Sequence, residues 1–506
     1  MSKAKYAELI DHMHTIVDLR GLGALAHWDM QTHMPPKGAA VRGERLATLT
    51  RIAHGMLTDK STGELIASAE EYARNQGEES VEFATWRELD RVYQKSTVIP
   101  TELAAEIQRS QSQAQVAWKN ARLNDDYASF KPFLAKNLDY LKQTVELSRG
   151  LYPDVQDDYD ILLDDYEHGM STADVAAVFD DFKAGAKPLV ELVASKGDDG
   201  RDAATFKHFP EADQDKFVRQ IVKQVGFTDD AWDLTTTTHP FESSMSINDI
   251  RITTKYVEDF FNPSFFGTLH EFGHGLYEHQ IDEKYERSVL GHGVSMAWHE
   301  SQSRMWENLV GRSLAFWKWA APKAKEAFPE QFGGMSAEDI YRAVNVMGPS
   351  LIRIEADELT YNFHIIIRFE LERELLSGKI SVDDLPEAWN ARYKDYLGVD
   401  VPNDSDGVLQ DVHWSGGSLG YFPTYALGNV LGAMLWEKIT TELPNLESEF
   451  EKGEFSSLRE WSRENVHQYG SHYKPNDLLQ KVLGTRKLSA QPQLDYLTKK
   501  VNELYG

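Results

Sequence analysis

The chain has 506 residues, with 53 Lys and Arg against 80 Asp and Glu for a formal net charge of −27, and no cysteine. So acidic a chain is repelled by phosphate backbones and anionic lipid surfaces, which argues against nucleic-acid and membrane partners. The absence of cysteine excludes disulfide frameworks, thiolate nucleophiles, Fe–S clusters and Cys-based zinc fingers, while 41% hydrophobic residues are ample for a large core.

The first residues, MSKAKYAELIDHMHTIVDLRG, mix acids and bases throughout, so no signal peptide is expected. No stretch approaches the roughly 20 apolar residues that span a bilayer, and a cytoplasmic location is expected. Tyr6, Leu9, Ile10, Met13, Ile16 and Val17 fall on one helical stripe, as do Val81, Phe83, Trp86, Leu89 and Tyr93. Pro100-Thr101 precedes another long helical stretch, and Phe133, Leu134, Leu138, Leu141 and Val145 mark the next. The run DDYDILLDDYEHG at 157–169 lacks the loop glycine and spaced ligands of an EF-hand, and is expected to be a solvated acidic turn. From Asp233 to Tyr256 the chain is rich in Thr and Ile with turn residues between, the pattern of two or three short strands.

Residues 261–281 then read FNPSFFGTLHEFGHGLYEHQI. Asn262 can cap a helix, Pro263 suits its first turn, and Phe265, Leu269, Phe272 and Leu276 supply an apolar face. His270 and His274 stand four residues apart, so both imidazoles project to one side at a separation that suits two ligands of one tetrahedral metal. Glu271, on the adjoining flank, can reach a metal-bound water without displacing it, where a general base belongs. A catalytic zinc needs a third protein ligand and an open position. The extended motif with a third histidine is excluded, because its glycine and histidine places hold Tyr277 and Gln280. Glu278 is too far along the axis. The better candidate is Glu300, on a second helix capped by Ser295 with Trp298, Met305 and Leu309 as core contacts; His299 is a rival, and Glu286 and His292 stay open.

Further on, Ser336–Asp339 and Ser381–Asp384 both read as capping boxes with Asp in the usual Glu place, and Gly378 stands where a helix should end. No linker, charge block or repeat divides the chain. The expected fold is mainly α, a single body over 1–506 with a small β-sheet near the site and metal-site helices over about 262–313.

At this point the chain resembles the thermostable, Taq-type metallocarboxypeptidases. The likeness lies in His239-Pro240-Phe241, Asp249-Ile250-Arg251-Ile252-Thr253, the His270–His274 motif and His299-Glu300-Ser301-Gln302. It continues through Ile352-Arg353-Ile354-Glu355-Ala356-Asp357 and Gly407-Val408-Leu409-Gln410-Asp411-Val412-His413-Trp414, with HWDMQTHMPPKGAA at 27–40 as an early companion. The resemblance implies a zincin-like (gluzincin) site in which His270, His274 and Glu300 bind one divalent ion per chain and Glu271 is the catalytic base. Zinc is expected, although His/His/Glu also accepts cobalt. It further implies removal of single C-terminal residues with broad specificity and a block at proline, a deep substrate groove, and a homodimer. Within it, Tyr421 and His413 are candidate donors to the oxyanion of the tetrahedral intermediate, and His239 is a further groove donor. Arg353, then Arg251, is the candidate anchor for the substrate carboxylate, which a guanidinium binds in bidentate fashion. Asp357 reads as a supporting acid. The rival functions are a helical zinc oligopeptidase, which shares the His-Glu-Phe-Gly-His run, and a non-catalytic peptide-binding scaffold.

Overall fold

In the computed structural model, which describes residues 2–197 and 199–506, helical spacing is realised along nearly the whole chain. The first stripe buries Leu9, Met13 and Ile16 of helix Ser2–Gln31 against Leu57, Ile66, Trp86 and Leu89 from the three helices that follow, Ala39–Thr58, Lys60–Asn75 and Val81–Thr97. Helices Thr101–Asn124 and Tyr127–Ser148 come next, and Leu134, Leu138 and Val145 of the second join the main core. That core is strongly aromatic: Phe209, Phe217, Phe261, Phe265, Phe328 and Phe332 meet edge-on, tilted or stacked with ring centroids 5.1–6.2 Å apart. Among the described residues no helix is long and apolar enough to cross a membrane.

Three local expectations need correction. The acidic run at 157–169 is not a solvated turn but a short helix, Asp158–Leu163, leading into the interior. Ile161, Leu162 and Leu163 are core residues, and they draw the neighbouring acids inward with them. Buried carboxylates need partners, and each has them. Asp164 takes Lys95 at 2.9 Å and the Tyr152 hydroxyl at 2.8 Å, Asp160 takes the Thr172 amide, and Glu167 takes Ser295 and the Ala297 amide. Ser336–Asp339 closes a full capping box, but Ser381–Asp384 lies one turn ahead of its helix, Leu385–Leu397. There Asp384 still takes the Ser381 amide at 2.9 Å and hydroxyl at 2.6 Å, but the Asp384 amide turns back to the Ser381 carbonyl, and this separate turn leaves Pro386 in the first turn of the helix, where its missing N–H costs nothing. Gly378 does end helix Tyr361–Ser377, at φ +73°. Asn262, finally, caps nothing. Phe261 is already helical and locked in the aromatic core, so packing sets the helix start, and the Asn262 Oδ1 is left buried without a hydrogen bond.

The strand-like stretch forms one sheet of three strands, β1 (Trp232–Thr236), β2 (Glu242–Ser246) and β3 (Asp249–Thr254), in the order β1-β3-β2. β1 lies parallel to β3, with Leu234 opposite Ile252, and β2 runs antiparallel with an irregularity between Ser244 and Ser246. Trp232, Leu234, Ile250 and Ile252 are buried, and this face receives the helix carrying the histidine pair. Gly275 allows the approach, since a Cβ there would stand 2.5 Å from the Trp232 ring and 2.7 Å from Ile250.

Candidate metal centre

The first helix of the site, Asn262–His279, buries Phe265, Leu269, Phe272 and Leu276 almost completely. At about 1.5–3 kcal/mol for each buried side chain, that face anchors the helix firmly enough to carry polar groups on its other side. The second helix, Met296–Arg304, starts where Ser295 accepts the Trp298 amide and Glu167 takes the Ala297 amide. It is clamped between two glycines. A Cβ at Gly273 would lie 2.5 Å from the Gln302 carbonyl, and one at Gly428, on helix Pro423–Glu442, would lie 2.5 Å from the Glu300 Cβ. Both neighbours therefore press backbone against this short helix, which leaves Glu300 little freedom.

The result is convergence. Single donor atoms of His270, His274 and Glu300 all lie within 4.8 Å of one another. Glu300 Oε2 is 3.5 Å from the Nε2 of each histidine. Ligands held at about 2.1 Å in a tetrahedron are about 3.4 Å apart, so the spacing fits one ion, and two imidazoles with one carboxylate suit zinc or cobalt.

Electrostatics prepares the donors. Burial opposes charge on Glu300, but Arg304 and the two imidazoles outweigh it and hold the carboxyl well below its usual range. Arg304 Nε grips Glu300 Oε1 at 2.7 Å, which leaves Oε2 to face the histidines. Arg304 also reaches Glu307 at 3.1 Å, and Glu307 meets His270 Nδ1 at 2.9 Å. That contact assigns the His270 proton to Nδ1 and frees Nε2. A π-helical segment, Met305–Val310, follows the second helix and carries Glu307, an irregularity often found at functional sites. Burial disfavours the charged form of both histidines. In His270 the pull of Glu300 and Glu307 wins and raises the pKa to about 9, whereas in His274 burial wins and lowers it to about 4. Burial likewise pushes the Glu271 carboxyl up to about 7, against the pull of His270.

Comparison with known proteins bears on this geometry. Residues 8–501 match the Carboxypeptidase Taq (M32) metallopeptidase family. The chain is 41% identical to thermostable carboxypeptidase 1 of Thermus thermophilus, covering 100% of this chain and 99% of the relative, and 36% identical to carboxypeptidase 1 of Bacillus subtilis over 98% of each. The M32 carboxypeptidase of Deinococcus radiodurans superposes with a TM-score of 0.95 at 37% identity over the full length of both chains. The Pyrococcus furiosus carboxypeptidase gives 0.94 at 34% identity over 99% of each. The chain belongs to the M32 metallocarboxypeptidase family. It is thus a metallocarboxypeptidase, an enzyme that requires a divalent ion and acts on peptides.

The other candidate residues of this M32 enzyme fall into separate places. Tyr421 packs against Tyr166, His413 and Tyr425 with centroids 5.1–5.5 Å apart, and feels the charge of Glu300. His413 places Nε2 3.3 Å from the Tyr425 hydroxyl, while its buried Nδ1 has no hydrogen-bond partner. Arg353 is buried, bonded to Asp411 at 2.9 Å and to the Tyr361 hydroxyl at 3.0 Å. Arg251, on β3, is paired with Asp249 at 2.8 Å and lies 4.4 Å over Trp28. His239 is exposed in the bend between β1 and β2. Asp357 takes the amides of Gly348, Leu359 and Thr360 and so organises the turn before helix Tyr361–Ser377. Glu286 takes the Ile247 amide, and His292 meets the Gly293 carbonyl; neither belongs to the converging group. Arg304, Glu307 and Glu167 escaped the sequence reading. The first two were findable, because they follow Glu300 by four and seven residues on one helical face. Glu167 carried no signal, since it meets the second helix only through the fold.

Proposed function

We propose that this metallocarboxypeptidase holds one Zn2+ through His270, His274 and Glu300 and releases single residues from peptide C-termini, with broad specificity and little turnover of C-terminal proline. The observation that carries the reading is the meeting of three donor atoms, 3.5 Å from carboxylate to each imidazole, next to a buried Glu271. When bound, the ion supplies a Lewis acid that makes water a nucleophile near neutral pH and polarises the scissile carbonyl. Glu271 takes the proton of the attacking water and returns it to the departing amine, a task that a carboxyl raised to about 7 suits. Tyr421, packed beside Tyr425 and His413, donates to the developing oxyanion, and His413 is a second donor. His239 serves the outer substrate groove.

Specificity for a free C-terminus rests on Arg353. Asp411 lies between two buried guanidiniums, Arg353 at 2.8 Å and Arg368 at 2.5 Å, so this trio keeps one positive charge in excess. The contacts to Asp411 and Tyr361 use three of the five N–H donors of Arg353, and a substrate carboxylate takes the remaining two while neutralising the excess charge. Arg251, already neutralised by Asp249, is the weaker anchor. The family resemblance and the cysteine-free composition support a cytoplasmic homodimer in which residues 1–506 act as one catalytic unit. The test is metal analysis of the purified protein, with mass spectrometry of peptide products over time. One zinc per chain and stepwise loss of C-terminal residues are expected. Equal cleavage of a C-terminally amidated peptide would point instead to an endopeptidase.

A further inference from the structure

The two histidines of the metal centre are backed from the protein side by different chemistry. His270 Nδ1 meets a carboxylate directly, that of Glu307 at 2.9 Å. His274 Nδ1 meets the Nδ1 of His299 at 2.7 Å, and the Nε2 of His299 meets Glu278 Oε1 at 2.7 Å. Two ring nitrogens this close share one hydrogen, so one donates and the other accepts. Glu278 decides which. Its carboxylate offers only acceptors and is fixed by the Gly293 amide at 2.8 Å, so the neutral His299 ring carries its hydrogen on Nε2. Nδ1 of His299 is then a bare lone pair that accepts from His274 Nδ1–H. The Nε2 of His274 is left bare in turn, facing Glu300 Oε2.

We infer that Glu278 and His299 are positioning residues that fix the tautomer and ring orientation of His274 and thereby set metal affinity. The inference rests on the reading of His270, His274 and Glu300 as the ligands. The surroundings fit such a role. His274 and Glu278 are one turn apart on the same helix, and His299 reaches in from the second helix to bridge them. The Tyr277 ring lies 5.3 Å from that of His299, and a Cβ on Gly293 would stand 2.6 Å from the His299 Cδ2, so the imidazole is held on both sides. Support of this kind is typically worth 10–100-fold in metal affinity.

The measurement is the Kd for Zn2+ by chelator competition, on variants whose metal-free thermal midpoints are recorded separately. His299→Phe keeps the ring but removes both nitrogens, and a Kd raised 10–100-fold is expected. His299→Gln can accept from His274 through its amide oxygen and donate to Glu278 through its nitrogen, and should bring Kd back to within about 3-fold of the unmodified enzyme. A folded His299→Phe protein with unchanged Kd would overturn the inference, as would equal loss in the Phe and Gln variants. If His299→Phe does not fold, Glu278→Met takes its place, since it removes the acceptor that both the Gly293 amide and the His299 Nε2–H use, with a Kd rise of about 10–100-fold supporting the relay and no change refuting it. His270→Ala separates this from the ligand assignment: if the unmodified enzyme binds zinc and His270→Ala binds it equally well, the ligand reading fails first.

Discussion

Two buried charge clusters lie close to one another in this enzyme and are built on opposite terms. Around Glu300 the protein gathers two imidazoles, Arg304 and Glu307, and aims one nitrogen of each imidazole at the same point as Glu300 Oε2, which otherwise takes the Ser303 hydroxyl at 3.0 Å. Around Asp411 it gathers two guanidiniums that touch their carboxylate directly at 2.5–2.8 Å, so the carboxylate is closed by protein atoms while one positive charge is left over. A closed ion cluster is chiefly an element of the fold, because removing one partner strands the others in low dielectric. An open one is a binding site. The difference separates Asp411, whose charge is met by protein atoms and answers to stability, from Glu300 and the surplus charge of Arg353, which are left for ligands.

The sharpest way to break this comparison is Glu271→Gln, beside the open cluster. Turnover should fall about 10²–10⁴-fold while zinc content, measured by elemental analysis, stays near one per chain; retained turnover would remove Glu271 from the chemistry. Asp411→Asn should act on stability instead. It leaves two buried guanidiniums without their anion, and a loss of about 3–5 kcal/mol is expected in denaturant unfolding, with the zinc Kd unaltered. Arg353→Ala tests the excess charge. A charge-assisted hydrogen bond is worth about 1.5–3 kcal/mol, so kcat/KM for free-acid peptides should drop about 10–150-fold while residual activity on amidated peptides does not change; equal loss on both would return the anchor to Arg251 or another group. Gly428→Ala should cost about 1–3 kcal/mol through overpacking and also weaken zinc binding, because the added methyl meets Glu300 itself. Smallest is Ser295→Ala, which removes the cap of the second helix and should cost about 1 kcal/mol, read as a modest fall in thermal midpoint.

The legible parts of the site were those written within one turn of helix. His270, Glu271 and His274 share a face because 3.6 residues make a turn, and Ser295 caps the second helix through the hydroxyl its position demands. Glu278 shows the limit. It lies too far along the axis to be a ligand, and the structure gives it a partner, His299, that arrives from another helix. Asn262 and Ser381 show the same limit for the fold: Phe261 packing overrides the first cap signal, and the second closes a turn just ahead of the helix that Pro386 opens. In the acidic run at 157–169 charge alone predicts a solvated turn, whereas Ile161, Leu162 and Leu163 decide where that segment goes.

Composition and periodicity determined that this chain builds helices around a large core, and the histidine spacing determined where an ion could be held. Helical repeat and hydrophobic burial are local properties, readable a few residues at a time. Which carboxylate closes the triangle, which acids stand behind each imidazole, and which arginine keeps an unbalanced charge were decided only by tertiary contacts. Those depend on backbone-to-backbone approaches at Gly273 and Gly428, and glycine in a sequence does not say which neighbour it is making room for.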